Sequence, residues 1–308
     1  MIEKLSIIMP VYNAERYLEQ AIQSLINQTF QNWKLHVCDD ASHDNSWELI
    51  KRFEKLDSRI QIYRNEANKG KVKTVNDLLK YCNSKYLTVH DADDWSEPDR
   101  FEYQVSFLEG NHDFYLCGTS FYEHNRRNKE IIHQPTNYSL IKEKLPKTSQ
   151  FHGPTIVFKQ EIINEIGGFY RYFKWGEDID FCARVVEKYK ATNIDRPLYN
   201  YRVHANSLTN NINQLSLERF IGPKIRIFLA NQRITEGSDF LMRGEDYLLE
   251  KYVDKLLSNV NYGQVYREFS NYLYHKGFKR KAILAALKSI INTPSFSNFK
   301  NLLVLSIK

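Results

Sequence analysis

A chain of 308 residues with 42% hydrophobic and 26% charged residues has the make-up of an ordinary globular protein, large enough for one α/β domain with an appendage and too apolar for disorder to dominate. No stretch approaches the roughly 18 apolar residues of a membrane span, Met1–Pro10 is too short an apolar lead for a secretory signal, and Cys38, Cys82, Cys117 and Cys182 form no CxxC pair, which argues against a zinc site or disulfide framework and for reduced thiols in a cytoplasmic protein. The net charge of +6 is concentrated in Lys276, Lys279, Arg280, Lys281, Lys288, Lys300 and Lys308, with no Asp or Glu among them; the rest of the chain is near neutral, so no nucleic-acid surface is expected.

Leu5–Val11 (LSIIMPV) predicts a buried strand. Tyr17, Leu18, Ala21, Ile22, Leu25 and Ile26 then recur at helical spacing on one face. Trp33–Cys38 predicts a second strand, and Asp44 a cap for a helix with Trp47, Ile50 and Phe53 inward. Ile60–Arg64 predicts a third strand, Val72 to Cys82 a helix, and Tyr86–His90 a fourth strand. This alternation implies an α/β fold with a mostly parallel sheet covered by helices on both faces. Beyond Pro98 the pattern loosens: Asp113–Tyr122 and Pro154–Lys159 look like strands, Glu177–Tyr189 like a helix, and Ala191–Val203 like short extended pieces. From about Asn213 the text is helical. The expected division is a catalytic domain over 1–212, made of a nucleotide-binding half (1–94) and an acceptor half (95–212), followed by a helical region over 213–308.

Ligands of such sheets bind beyond the carboxyl ends of the strands. The segments there are Pro10-Val11-Tyr12-Asn13, Asp39-Asp40-Ala41-Ser42 and Asp91-Ala92-Asp93-Asp94, so three polar or acidic loops should share one rim. Asp91 and Asp93 are alternate residues of an extended segment and can aim at one point. Two carboxylates held together favour a hard divalent cation, Mg²⁺ or Mn²⁺, that also takes diphosphate oxygens; a solvated acidic turn is the plain alternative. Asp40 could accept the imide N–H of uracil. Tyr12 could stack on a base or simply pack at the rim. Asp178 falls in the first turn of a helix, where an anion is favoured, and could equally be a cap. The tripeptide Gly176-Glu177-Asp178 recurs as Gly244-Glu245-Asp246. Only the first copy lies in the half that follows the acidic loop, so the second is taken as structural.

In order along the chain stand Ser6-Ile7-Ile8-Met9-Pro10-Val11-Tyr12-Asn13, Ser24-Leu25-Ile26-Asn27-Gln28-Thr29-Phe30, Asp39-Asp40-Ala41-Ser42, Asn68-Lys69-Gly70, Asp91-Ala92-Asp93-Asp94, Gly167-Gly168-Phe169, Trp175-Gly176-Glu177-Asp178 and Tyr201-Arg202-Val203-His204. Together they resemble the inverting family 2 glycosyltransferases of bacteria, over roughly residues 3 to 210. The resemblance implies a GT-A fold and a UDP-sugar donor. It implies that Pro10, Tyr12 and Asp40 hold the uridine, with Asn13 also in the nucleotide-sugar site, that Asp91 and Asp93 serve the ribose and the metal-bound diphosphate, and that Asp178 is the general base. It also implies a metal-side place for His204 and an acceptor side at Trp175 and Glu177. The family's usual Ala-Arg-Asn ending is replaced here by Thr74-Val75-Asn76, which leaves Lys71 or Lys73 as the basic contact to the donor. A saccharide or lipid-linked saccharide acceptor is expected, in surface polysaccharide or glycolipid synthesis. A nucleotidyltransferase is the rival enzyme class, but it would want a Gly- and Lys/Arg-rich loop after the first strand, and Pro10-Val11-Tyr12-Asn13 is not one. A binding protein that has lost catalysis is the other rival; the presence of both Asp93 and Asp178 speaks against it.

The tail carries a separate expectation. Phe278, Ile283, Leu284, Leu287, Ile290 and Ile291, then Phe296, Phe299, Leu302, Leu303, Leu305 and Ile307, are interleaved with the basic residues on either side of Pro294. Segment 276–308 therefore reads as an interfacial anchor for an anionic membrane at the inner face of the cell, or as helices that pack on the catalytic domain or on a second copy in a homodimer.

Overall fold

The computed structural model describes residues 3–125, 127–145, 148–171, 176–204 and 215–307. In chain order the elements are β1 (Leu5–Val11), α1 (Glu15–Ile26), β2 (Trp33–Asp39), α2 (Ser46–Leu56), β3 (Ile60–Arg64), α3 (Lys71–Leu78), β4 (Tyr86–Val89), β5 (Trp95–Ser96), α4 (Arg100–Gly110), β6 (Phe114–His124), β7 (Lys129–Ile132), α5 (Tyr138–Lys144), β8 (Val157–Lys159), α6 (Ile162–Glu165), α7 (Glu177–Lys188), β9 (Lys190–Arg202), α8 (Leu215–Glu236), α9 (Asp246–Leu257), α10 (Tyr262–His275), α11 (Lys279–Asn292) and α12 (Phe296–Ile307). They fall into two compact units: 1–123 with 130–202, and 124–129 with 203–308. The sequence placed a boundary near 213; the contacts place it after Arg202 and pass a short piece of the β6–β7 connection to the second unit.

The first unit is an α/β domain of the GT-A type. Its strands run in the order β3-β2-β1-β4-β8-β6-β9-β5, with β7 on β6. The β3-β2-β1-β4 half is parallel, with Val11 opposite Asp39 and Ile8 opposite Val89. That register brings the loops after β1, β2 and β4 to one edge. The second half begins with β8, antiparallel to β4 and β6, a reversal that the sequence pattern does not announce. Side chains of β1 alternate between two cores. Leu5, Ile7, Met9 and Val11 pack with Leu18, Ile22 and Leu25 of α1, while Ile8 packs with Val75, Leu78, Phe158 and Phe181. Both faces of β1 are therefore dry, which is why its sequence is almost continuously apolar.

Two expectations are corrected here. Pro154 is not in a strand: Gly153–Thr155 form a 3-10 turn ahead of the three residues of β8, because the Arg100 guanidinium takes the Pro154 carbonyl at 2.7 Å and Gln104 that of Thr155 at 2.9 Å. The pieces expected over Ala191–Val203 are one 13-residue strand, β9.

In the second unit α10, α11 and α12 pack on one another through Val265, Phe269, Leu273, Ala282, Ala285, Ala286 and Leu305. Buried Asn298 holds the α11–α12 turn by donating to the carbonyls of Ser289 (3.1 Å) and Thr293 (2.7 Å). No helix is long and apolar enough to cross a membrane among the described residues.

Candidate active site

The β4 strand delivers His90-Asp91-Ala92-Asp93-Asp94 to the rim. Carboxylate oxygens of Asp91, Asp93 and Asp94 lie within 4.8 Å of one another. The loop is built on a buried polar network. His90 Nδ1 lies 2.8 Å from the Asp91 carbonyl and Nε2 3.1 Å from Ser96 Oγ. Burial and the Arg100 charge push the His90 pKa down to about 3, so its ring is a neutral spacer at physiological pH. Asp94 accepts from Tyr199 Oη (3.0 Å) and from the Arg202 amide (2.7 Å). Burial, and then the charges of Asp93 and Asp91, raise its pKa well above the carboxylate range. Arg202 also donates from Nε to the Asp93 carbonyl at 2.8 Å. Asp91 is paired with Lys71 Nζ at 2.7 Å; burial alone would raise its pKa, but the Lys71 charge and hydrogen bond hold it low. The donor set suits a hard cation: three carboxylates converge, and a cation among them would offset their repulsion. Asp91 and Asp93 are the partly exposed members, and Asp94 braces the loop.

Next to it stands the edge formed by the ends of β1 and β2. Tyr12 is 47% exposed there, with its ring 6.4 Å from that of His43. Asn13 and Ala41, at φ 50° and 60°, are the two non-glycine residues in the left-handed region among those described, and such strain gathers at functional sites. The two loops are tied together. The amides of Asn13 and Ala14 donate to Ser42 Oγ and Ser46 Oγ, both at 2.9 Å. His43 N donates to Asn13 Oδ1 at 2.9 Å. Glu15 N donates to Asp44 Oδ2 at 3.1 Å, and Asn45 N to Glu15 Oε2 at 2.8 Å. Thus α1 and α2 cap each other's N-termini. Buried Asp39 is structural, bound to the Ser42 amide and to Arg64. Asp40 accepts from the amides of Lys69 (2.9 Å) and Gly70 (2.8 Å) and from Asn65 Nδ2 (2.7 Å), so it also shapes the Asn68-Lys69-Gly70 loop that starts α3.

The third component is the start of α7. Gly176, at φ 78°, turns the chain into the helix, and Glu177 and Asp178 occupy its first turn. Two residues on, buried Asp180 bonds Arg171 (2.6 and 2.9 Å) and Arg184 (2.9 Å). Arg184 in turn donates to the carbonyls of Ile166, Gly168 and Phe169. This anchors the first turn of α7 to the Gly167-Gly168-Phe169 turn. Asp178 packs on Gly153: a methyl group there would stand 2.8 Å from Asp178 Cγ. Burial, then repulsion by Asp178, raises the Glu177 pKa to about 7, with Lys71 opposing. Lys71 belongs to both groups of acids. Burial works against its charge, but Asp91, Glu177 and Asp178 outweigh burial and keep it protonated.

The family model described as "Glycosyl transferase family 2" matches residues 6–167, more than half of the chain. The chain belongs to glycosyl transferase family 2. This glycosyltransferase is 32% identical over 206 residues to the "Putative glycosyltransferase EpsE" of Bacillus subtilis, covering 65% of this chain and 73% of that one. It is 34% identical over 159 residues to "UDP-Glc:alpha-D-GlcNAc-diphosphoundecaprenol beta-1,3-glucosyltransferase WfgD" of Escherichia coli, covering 52% and 61%. Its fold is similar to the S. aureus TarS 1-349 structure in complex with UDP-GlcNAc, with a TM-score of 0.63, 17% identity, and coverage of 99% and 90%.

Within the first unit of this glycosyltransferase, Lys71, Asp91, Glu177 and Asp178 interact, and Asp93 and Asp94 join Asp91. Pro10, Tyr12, Asn13 and Asp40 line the ends of β1 and β2. His204 belongs to the second unit and is not part of the acidic cluster. Trp175 lies outside the described residues. The second Gly-Glu-Asp opens α9, also in the second unit, with Asp246 exposed. Sequence reasoning did not single out Gly153, the Arg171–Asp180–Arg184 anchor, or His152. The buried Nε2 of His152 has no hydrogen-bond partner among the described residues, and the ring stacks on Phe121 at 4.1 Å. Burial first, opposed by the Asp91 charge, takes its pKa to about 4. A lone histidine in a loop carries no sequence signal of that kind.

Proposed function

We propose that this glycosyltransferase moves one sugar from a UDP-sugar to an acceptor hydroxyl by a single displacement that inverts the anomeric centre. The observation that carries the reading is the placement of Lys71: it bonds Asp91 of the acidic loop at 2.7 Å and is held protonated by that carboxylate and by the two acids that open α7. A donor-side group and a base-side group thus share one cation. Asp178 acts as the general base and takes the acceptor proton. A general base acts only where it is placed within hydrogen-bond reach of the proton it takes. Packing against Gly153 and the Asp180 anchor supply that placement. Glu177 serves the acceptor side. Asp93 and Asp91 would hold Mn²⁺ or Mg²⁺, and Lys71 would contact the donor diphosphate. When bound, the cation offsets charge on the departing diphosphate. Tyr12 receives the uracil face, and Asp40 takes its imide N–H beside the loop amides it already holds. The UDP-GlcNAc in the TarS structure favours a uridine donor. The diphosphoundecaprenol-linked substrate named for the E. coli relative favours a lipid-linked acceptor in polysaccharide or glycolipid synthesis.

A panel of nucleotide sugars incubated with Mn²⁺ tests this, with release of free sugar and UDP as readout. Hydrolysis should stop with EDTA, return with added Mn²⁺ or Mg²⁺, and be lost in Asp93→Ala. Undiminished metal-free activity of that variant would overturn the metal assignment. Release of pyrophosphate from a nucleoside triphosphate and a sugar phosphate would mark the nucleotidyltransferase instead.

A further inference from the structure

The last two helices are packed the wrong way round for a buried pair. On α11 the residues turned inward are Ala282, Ala285, Ala286 and Ser289, while Leu284, Leu287 and Ile291 face out, with Ile291 78% exposed. On α12, Asn298 and Leu305 are inside and Phe296, Phe299 and Leu303 are outside, with Phe296 84% exposed. The outward residues repeat at i, i+3 and i+7 on both helices, so each presents a straight apolar stripe. Phe278 and Leu305, which the sequence pattern added to the stripe, belong to the interior.

Charge lies along the same arc. Exposed Arg280 falls within about 40° of Leu284 on α11 at about 100° per residue, and exposed Lys300 borders the α12 stripe. No carboxylate occurs anywhere in 276–308. A second copy of the chain is a poor cover for this face: an isologous contact sets the patch against the same patch, and segment 276–308 has no carboxylate to offer its own cations. The 14 and 12 residues of α11 and α12, at about 1.5 Å each, are too short for a hydrocarbon core of about 30 Å.

We propose that α11 and α12 form an interfacial docking face for an anionic lipid surface, in which Leu284, Leu287, Ile291, Phe296, Phe299 and Leu303 enter the headgroup boundary and the neighbouring cations meet lipid phosphates. An apolar stripe with cations at its edge is the arrangement that binds in the plane of a membrane. The proposal does not depend on the identity of the sugar donor.

The test is sedimentation of the full chain with phosphatidylcholine vesicles, with and without phosphatidylglycerol, at low and high salt. Two double variants of exposed residues accompany it: Ile291→Ser with Phe296→Ser, and Arg280→Gln with Lys300→Gln. Melting curves and donor hydrolysis without lipid should match the parent and report that the fold is intact. The parent should pellet with anionic vesicles only, and less at high salt. Each variant should lose about tenfold or more in partition, and the charge variant should also lose salt sensitivity. Equal pelleting of parent and variants, equal binding to neutral and anionic vesicles, or no pelleting would overturn the proposal. So would a parent dimer that the apolar variant turns into monomers with vesicle binding unchanged, which would make the stripe a subunit face.

Discussion

Replacing Glu177 by Gln removes one proton site from the first turn of α7, and it should stabilise the protein in alkali while changing little in acid. Glu177 is buried, and its pKa is pushed up from 4.5 to about 7, first by burial and then by Asp178. A folded-state value above the unfolded one means that the folded protein binds the proton more tightly. The resulting stability is complete below about pH 4.5 and is lost as pH rises through about 7. At about 1.4 kcal/mol for each tenfold change in proton affinity, the whole loss is about 3 kcal/mol, and about 2 kcal/mol of it falls between about pH 5.5 and about pH 8. Gln has no proton to lose, so the variant escapes this decline. For a domain of this size, 2 kcal/mol corresponds to about 4–8 °C in Tm. Thermal melts of parent and Glu177→Gln across a pH series should therefore separate by that margin as pH rises, with the variant on top. A gap that stays constant across the series, or one that opens towards acid, would refute the idea that Glu177 holds a proton near neutral pH.

Three further outcomes follow from the same geometry. Asp178→Asn should keep donor binding but lose roughly 10²- to 10⁴-fold in transfer rate, while Asp246→Asn in the second Gly-Glu-Asp leaves the rate unchanged; similar losses in both would put the base elsewhere. Gly153→Ala places a methyl 2.8 Å from Asp178 Cγ, so kcat should fall about tenfold or more with the KM for the donor little changed, measured by steady-state transfer. Lys71→Met removes the cation that opposes the rise in the Glu177 pKa, and the inflection attributable to Glu177 should then move to higher pH in the pH–stability profile; an unmoved inflection would separate Lys71 from the base side.

The parallel half of the sheet was legible because its strands are buried on both faces and alternate with amphipathic helices. β1 and β3 occupy the residues read from the apolar runs, and β2 and β4 differ by one residue at an end. Legibility fell where long-range contacts decide the conformation. The 3-10 turn at Gly153–Thr155 exists because Arg100 and Gln104, some fifty residues away, take its carbonyls. In the site, Asp91, Asp93, Asp178 and Lys71 could each be picked out by motif or local charge. Their mutual arrangement could not, since nothing in the spacing from 71 to 91 or from 91 to 178 states that one ammonium faces Asp91, Glu177 and Asp178. Asp94 looked like a spare member of the acidic loop, and its role as the brace needs Tyr199 and Arg202 from the far end of the domain. The tail was legible in composition but not in orientation, because alanines face inward where a hydropathy pattern expects leucines.

The reciprocal capping of α1 and α2 has a thermodynamic consequence for ligand binding. Five hydrogen bonds between the loops fix Asn13, Ala14, Glu15, His43 and Asn45 before any ligand arrives, and Asp40 fixes the next loop in the same way. A base that settles against Tyr12 then meets a rim whose ordering entropy was spent during folding. Less of its interaction energy goes into immobilising protein, and more appears as affinity and as a defined ring orientation. Cutting one of these ties, as in Ser42→Ala, moves that entropy cost from folding to binding.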